Sequence, residues 1–328
     1  MKPKVLVTGG AGCIGIEVSK QLRDSGYVPI IYDLPEKILQ VSNQKNFFDY
    51  VSGSILDKGL LFHSMKSVKY VIHLAALLGV ERTENEPRRC LEINIEGTKN
   101  VIEACTANEV KNLIFASSSE VYGEPVEEKV NENSITQGKT VYAISKLAGE
   151  EYIKAICKEN KKFKSIILRY FNTFGPFQTA QFAIPNFIKA VLNHNQPIVN
   201  GLGNQLRSYC YVSDTAKATI SALNYKFEKN NFEIFNIGNP NNCISVLELA
   251  KKIIDISGNR KLTPKMDEKF LNTDRIKKRE IFKRICNISK AKALLNFQPS
   301  TTLHEGLSNT ISANKIWSEW PKTIIKIN

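Results

Sequence analysis

A tyrosine and a lysine stand four residues apart in YAISK, at Tyr142 and Lys146. On a helix that spacing puts both side chains on one face. A phenol with a pKa of about 10 is a poor base at neutral pH, but a neighbouring ammonium favours the phenolate. Tyr142 could then take a proton from a substrate hydroxyl while hydride leaves the same carbon, and acid–base help of this kind is worth roughly 10²–10⁴-fold. Alone, such a pair is also an ordinary surface pairing. Upstream, SSSEVYG (117–123) closes an apolar run. Strand carboxyl ends are where open α/β sheets bind ligands, although serines before a glycine are equally ordinary loop residues.

The other candidate is VTGGAGCIG (7–15), with glycines at Gly9, Gly12 and Gly15. Glycines so placed permit a tight turn, close approach to a pyrophosphate and close helix–strand packing. The following helix aims its first N–H groups and positive dipole end at phosphate. Turns are glycine-rich for structural reasons alone as well. Asp33 ends the next apolar run, about 20 residues on, where a carboxylate binds an adenosine ribose hydroxyl. An acid there with no arginine beside it favours NAD over NADP, a preference that nearby Lys37 tempers.

The elements that must position these groups alternate. KVLVT (4–8), VPIIYD (28–33), YVIHLAA (70–76), NLIFASS (112–118) and KSIILRYFN (164–172) read as buried strands. Helices are expected from Ile14 to Gly26, about Ile93 to Ala107, and about Val141 to Glu159. This alternation predicts an α/β fold, a Rossmann-type doubly wound parallel sheet. Beyond Asn172 the texture changes, with Pro176, Pro185 and Pro197 punctuating shorter elements. We read residues 1–172 as an NAD-binding domain. Residues 173–328 read as a smaller, mostly helical substrate lobe, some of whose segments return to the main sheet.

Bulk properties narrow the function. No apolar run approaches the ~20 residues of a membrane helix, and the opening residues show no signal-peptide pattern. The seven cysteines are scattered and never in a C-x-x-C pair, so no disulfide framework or metal site is expected and a reducing, cytoplasmic setting fits. The four histidines lack metal-ligand spacing. A formal charge of +13, densest in RIKKREIFKR (275–284), reads first as a solvated surface, next as a site for an anionic substrate, and last as a nucleic-acid groove. No aromatic–basic interleaving marks the last reading, so neither a nucleic-acid nor a membrane partner is expected.

Taken in order, TGGAGCIG, Asp33, HLAA (73–76), INIEGT (93–98), SSSEVYG, YAISKLAGE (142–150), RYFNTFGP (169–176), LRSYCYVSD (206–214) and FNIGNP (235–240) resemble a known family nearly end to end. It is the extended short-chain dehydrogenase/reductases of the NAD-dependent epimerase/dehydratase group, which act on nucleotide-sugars. The resemblance implies NAD as cofactor and a homodimer. It implies Tyr142 as general base and acid, and Lys146 as the group that holds the nicotinamide ribose and lowers the tyrosine pKa. Ser118 would bond the reacting oxygen, and Asn94 would order the site near the nicotinamide. Gly9, Gly12, Cys13, Ile14, Gly15, Asp33, Ser54, Ile55, Leu74, Ala75, Ala76, Ser117 and Phe171 would line the cofactor. Asn172, Arg207 and, more distantly, Arg284 would contact the phosphates of the nucleotide-sugar, with Tyr209 beside the substrate.

Two departures stand out. Gly53-Ser54-Ile55 lacks the aspartate that often meets the adenine amino group, and Ser119 stands where many sugar 4,6-dehydratases carry aspartate. Glu120 keeps their glutamate and could be a base at C5, or a structural acid beside a loop. The leading expectation is a 4-epimerase that oxidises and re-reduces C4. A dehydratase using Glu120 comes second, a reductase or decarboxylase follows, and a non-catalytic NAD-sensing or RNA-associated protein is the distant alternative.

Overall fold

The computed structural model describes residues 2–42, 48–179, 182–267 and 281–317. Its first half runs β1 (Lys4–Thr8), α1 (Cys13–Asp24), β2 (Val28–Asp33), α2 (Pro35–Ser42), β3 (Asp49–Ser52), α3 (Lys58–Ser64), β4 (Tyr70–His73), α4 (Val80–Asn85), α5 (Pro87–Leu91), α6 (Gly97–Ala107), β5 (Asn112–Ser118), α7 (Val141–Glu159) and β6 (Ser165–Tyr170). Its second half runs β7 (Thr173–Phe174), α8 (Ala183–Leu192), β8 (Ile198–Asn200), β9 (Leu206–Ser208), β10 (Cys210–Tyr211), α9 (Val212–Leu223), β11 (Phe232–Ile237), β12 (Cys243–Ser245), α10 (Val246–Ser257), β13 (Lys265–Asp267), β14 (Lys283–Arg284), α11 (Ser289–Leu295) and α12 (Leu303–Trp317).

Seven strands form one parallel sheet in the order β11-β6-β5-β4-β1-β2-β3. Strands such as Val5–Leu6–Val7 are fully buried, as expected of a sheet covered on both faces. The order reverses between β1 and β4, and ligands bind at such a switch point, beyond the strand carboxyl ends. One face packs α1, α9 and α11 around Val18, Leu22, Ile220 and Leu295. The other packs α3, α6 and α7 around Leu61, Ile102, Ile153 and Cys157.

The second half contributes to both parts of the molecule. β11 extends the main sheet beyond β6, and α9 lies along α1, where Gln21 donates to the Ser213 carbonyl at 3.1 Å. The remaining elements build a separate core around Phe187, Val191, Leu249, Ile253 and Leu307. Three small sheets, β10-β7, β12-β9-β14 and β13-β8, stitch this lobe together.

The helix expected from Ile93 starts earlier, at Pro87, and passes through a π turn over Glu92–Glu96 before α6. Proline is favoured in a helix's first turn, which explains the start, and π turns cluster at functional sites. Helices α2, α3 and α4 are too short for periodicity to reveal. Their starts carried some signal, Pro35 at the first position of α2 and Asp57 at the cap of α3, accepting from the Leu60 N–H at 2.9 Å. Within RIKKREIFKR, residues 275–280 lie outside the described residues.

Truncation after residue 172 would strip β11 from the edge of β6 and α9 from the apolar face of α1. Exposed edges and apolar faces aggregate. The 1–172 fragment should therefore be insoluble or lack a cooperative melt, and a soluble fragment with a sharp thermal transition would contradict this.

Candidate active site

The glycines of the first turn do different work. Gly9 has φ 68, and a Cβ there would lie 2.7 Å from the Ala75 backbone N, so the turn presses against the segment that follows β4. At Gly15 a Cβ would lie 2.4 Å from the Gly9 carbonyl, so helix and turn could not close. Gly10, which the sequence did not single out, is equally confined, 2.7 Å from the Val7 carbonyl. Gly12 is different: a Cβ there would meet only the Gly9 carbonyl, at 3.3 Å. Gly12 caps α1 without a side-chain bond, leaving the first-turn N–H groups of Cys13, Ile14 and Gly15 facing a cradle that a side chain would fill. This is the geometry a pyrophosphate needs.

Asp33 closes the far side of that cradle. Its carboxylate accepts from the Ala11 N–H at 2.9 Å and the Leu34 N–H at 2.8 Å. Burial pushes its pKa up, and those two N–H groups and Lys37 oppose the shift. Leu74, Ala75 and Ala76 are half-buried across the switch point. At the adenine end, the Ser54 hydroxyl accepts from the Leu56 N–H at 3.2 Å and its carbonyl accepts from Tyr32 at 2.8 Å. Ile55 is buried beneath, and its carbonyl accepts from Asn100 at 3.1 Å. These residues would suit NAD: a glycine-lined cradle for phosphate, a carboxylate beside it at Asp33 and buried Ile55 as an apolar floor.

The reactive groups converge at the ends of β5 and α7. Thr140 caps α7, accepting from the Ala143 N–H at 3.1 Å, and donates to Glu120 at 3.2 Å. Tyr142, in the first turn, lies close enough for the Ser118 hydroxyl to favour its phenolate, and that hydroxyl accepts from the Glu120 N–H at 3.2 Å. One turn on, Lys146 is buried with its ammonium 5.0 Å from the Phe115 ring centroid and 5.8 Å from that of Tyr142. Gly149 permits this approach, because a Cβ there would lie 2.6 Å from the Phe115 ring.

The electrostatics depart from expectation. Burial pushes the Lys146 ammonium down to about 8, against the pull of Cys90 and Glu150. Tyr142 is pushed up from the ordinary phenol range, by burial first and then by the charge of Glu120, with the Ser118 hydroxyl working the other way. In the chain alone, then, the lysine does not bring the tyrosine pKa down.

A buried clamp orders the nearby loop. Asn94, in the π turn, accepts from the Leu77 N–H at 2.7 Å and donates to the Leu77 carbonyl at 3.0 Å. It also donates to Ser145 at 2.9 Å, and Ser145 donates to the Tyr142 carbonyl at 2.7 Å. His73 bridges Thr8 at 2.7 Å and Thr98 at 3.0 Å, held neutral with a pKa of about 3 by burial and by Lys146.

A second clamp lies beneath. Arg169 on β6 grips Glu150 on α7 through two bonds of 2.6 and 2.9 Å, with both side chains buried. Ser117 donates to the same carboxylate at 2.5 Å. Arg169 also donates to Tyr122 at 2.9 Å, and Tyr122 donates to Asn236 on β11 at 2.6 Å.

Several residues expected at the site have side chains engaged in other contacts. Ser117, one residue from Ser118 on a strand, faces the opposite side and donates its hydroxyl to Glu150. Phe171 is fully buried in the core against Tyr122, ring centroids 6.1 Å apart. Tyr209 is also buried, edge-on to Phe174 at 6.2 Å. Cys13 is half-buried at the cradle with its thiol pushed up to about 12 by burial and Glu17. Asn172 adopts φ 35 and donates to the Ser208 carbonyl at 3.1 Å, joining β6 to the second lobe.

Arg207 and Arg284, far apart in the chain, are direct neighbours: β14 pairs in parallel with β9 so that Arg284 stands opposite Arg207. Arg207 donates to the Leu206 carbonyl at 2.9 Å and the Ile281 carbonyl at 2.6 Å. Sequence reasoning missed Thr140, Glu150, Arg169 and His73. For Glu150 a signal existed, since Tyr142, Lys146 and Glu150 recur every four residues along one helix. A charged residue on a helix's buried face calls for a partner.

The model of the NAD dependent epimerase/dehydratase family matches residues 5–238. A putative UDP-glucose 4-epimerase of Methanocaldococcus jannaschii is 34% identical, over 94% of this chain and 97% of its own. A UDP-N-acetyl-alpha-D-glucosaminuronate decarboxylase of Bacillus cytotoxicus is 32% identical, over 95% and 97%. Among solved structures, the UDP-glucose 4-epimerase of Thermotoga maritima with UDP-glucose superposes with a TM-score of 0.86 at 30% identity, covering 96% of this chain and all of that one.

The different surroundings of Gly12 and Gly15 separate ligand space from packing space. Gly12→Ala should melt within a few degrees of wild type without cofactor yet lose at least about tenfold in NAD affinity by fluorescence titration, since a filled cradle blocks phosphate. Gly15→Ala should destabilise the cofactor-free protein itself, by about 1–3 kcal/mol. Unchanged NAD affinity in Gly12→Ala would refute the cradle.

Proposed function

The chain belongs to the NAD dependent epimerase/dehydratase family, and on that premise we propose that it is a nucleotide-sugar 4-epimerase that takes a UDP-sugar. The observation that carries this is the convergence of Tyr142, Ser118 and buried Lys146 at the open end of the sheet, with the Lys146 ammonium 5.8 Å from the Tyr142 ring centroid and the Ser118 hydroxyl acting on the phenol. The matched 4-epimerases support the choice of reaction.

When bound, NAD supplies the hydride acceptor at C4 and returns the hydride to the opposite face. The chain's own groups handle the proton and the charge. Ser118 holds the C4 oxygen against Tyr142, which takes the hydroxyl proton during oxidation and gives it back on re-reduction. Burial raises the Tyr142 pKa in the chain alone. Lys146, 5.8 Å from the ring centroid, is the resident cation, and further positive charge near the ring would favour the phenolate. Arg207 and Arg284 stand opposite each other in the strand register, and arginines are well suited to a substrate diphosphate.

A dehydratase reading rests on Glu120, whose charge reaches Tyr142. Its bond to the α7 cap Thr140 supports a structural role instead. We also propose a cytoplasmic homodimer. All seven cysteines are free, and α5 and α7, which pack together, expose Leu91 and Ile144, where a second copy could pack. Among the described residues no helix is long and apolar enough to cross a membrane.

Two variants test the assignment. Tyr142→Phe should retain NAD and lose turnover by at least about 10²-fold, whereas wild-type-like turnover would sink the role. Glu120→Gln should epimerise within about tenfold of wild type with product mass unchanged. A wild-type product lighter by one water, lost in Glu120→Gln, would establish the dehydratase.

A further inference from the structure

Tyr142, Lys146 and Glu150 occupy one face of α7 at successive turns, and the last two are buried. Glu150 lies where α7 meets β5 and β6, held by Arg169 through two bonds and by Ser117 through one. Ser117 precedes Ser118, and Arg169 also holds Tyr122, the last residue of the short helix Ser119–Tyr122 that carries Glu120. A single carboxylate thus ties the helix bearing Tyr142 and Lys146 to the turn bearing Ser118 and Glu120. Breaking a buried pair of this kind strands an uncompensated charge, so its presence needs a reason beyond stability.

We propose that Glu150 is a positioning residue for the reaction: gripped by Arg169, it indexes the Tyr142–Lys146 helix to the Ser118 turn and keeps a fixed anion one turn beneath the Lys146 ammonium. The charged and titratable groups around Lys146 are few. Glu150 on α7 favours the ammonium, and Cys90 on α5, whose thiol burial pushes up, would do so only as thiolate. His73 on β4 stays neutral near a pKa of about 3, and Phe115 and Tyr142 offer rings. Burial has already brought Lys146 down to about 8, so little margin separates its charged form from neutrality. Ammonium is lost as pH rises through its pKa, so removing the Glu150 charge moves that loss to lower pH.

The test uses NAD-loaded protein with two substitutions. Glu150→Gln keeps size but removes the charge and one of the two accepting oxygens, whereas Glu150→Asp keeps both and shortens the reach. Titration of the Lys146 ammonium by 15N NMR in lysine-labelled protein should give a lower midpoint in Glu150→Gln and an unchanged one in Glu150→Asp. In turnover, Glu150→Gln should shift the alkaline limb of kcat to lower pH. Glu150→Asp should leave the limb in place and lower kcat about tenfold, as misplacement does.

An unshifted Lys146 midpoint in Glu150→Gln would overturn the proposal. Should Glu150→Gln fail to fold, Glu150→Asp decides: wild-type kcat would overturn it, and the tenfold loss with normal NAD content would support it. The turnover arm rests on the 4-epimerase reading. If wild-type protein converted no nucleotide-sugar, that reading would fail, and the NMR titration would still decide the role of Glu150.

Discussion

The buried pair of Glu150 and Arg169 is the constraint on which the reactive centre depends. Arg169 leaves β6 and meets a carboxylate on α7, so sheet and helix are locked in rotation and along the helix axis. Gly149 lets α7 approach β5 closely, which brings Lys146 over Phe115. From that placement follow the position of Tyr142 one turn earlier and its contact with Ser118. The same arginine reaches Tyr122 and through it Asn236, so β11, supplied by the second half of the chain, braces the centre it lies beside. Removing one partner of such a pair costs about 3–5 kcal/mol, a large share of the stability of a typical domain.

Charge is arranged in opposition around this frame. Lys146 is pushed towards neutrality and Tyr142 towards its protonated form, both mainly by burial. Neither group is poised for proton transfer by itself. On the proposed function, positive charge near the tyrosine ring would favour the phenolate. His73 stays neutral between two threonines and adds no charge that would disturb this balance.

What the sequence made legible was local. KVLVT and VPIIYD are strands to the residue, α7 covers Val141–Glu159 as its pattern predicted, and the glycine turn follows β1 directly. Short helices without a full apolar stripe were invisible to periodicity, as α2 and α4 show. So was everything set by long-range packing. Ser117 and Ser118 are adjacent in the chain but serve opposite faces of the strand, and only the Glu150 contact tells them apart. Phe171 lies in a motif that suggested cofactor contact, yet packing draws its ring into the core. The pairing of Arg284 with Arg207 depends on a strand register that no local pattern encodes.

The central claim is that hydride leaves C4 of a nucleotide-sugar and returns to the same carbon. UDP-glucose carrying deuterium at C4, incubated with the purified protein and followed by mass spectrometry and NMR, tests it directly. The account predicts UDP-galactose of unchanged mass with deuterium retained at C4. Deuterium appearing at C6 of a dehydrated sugar, or washed out to solvent, would contradict it.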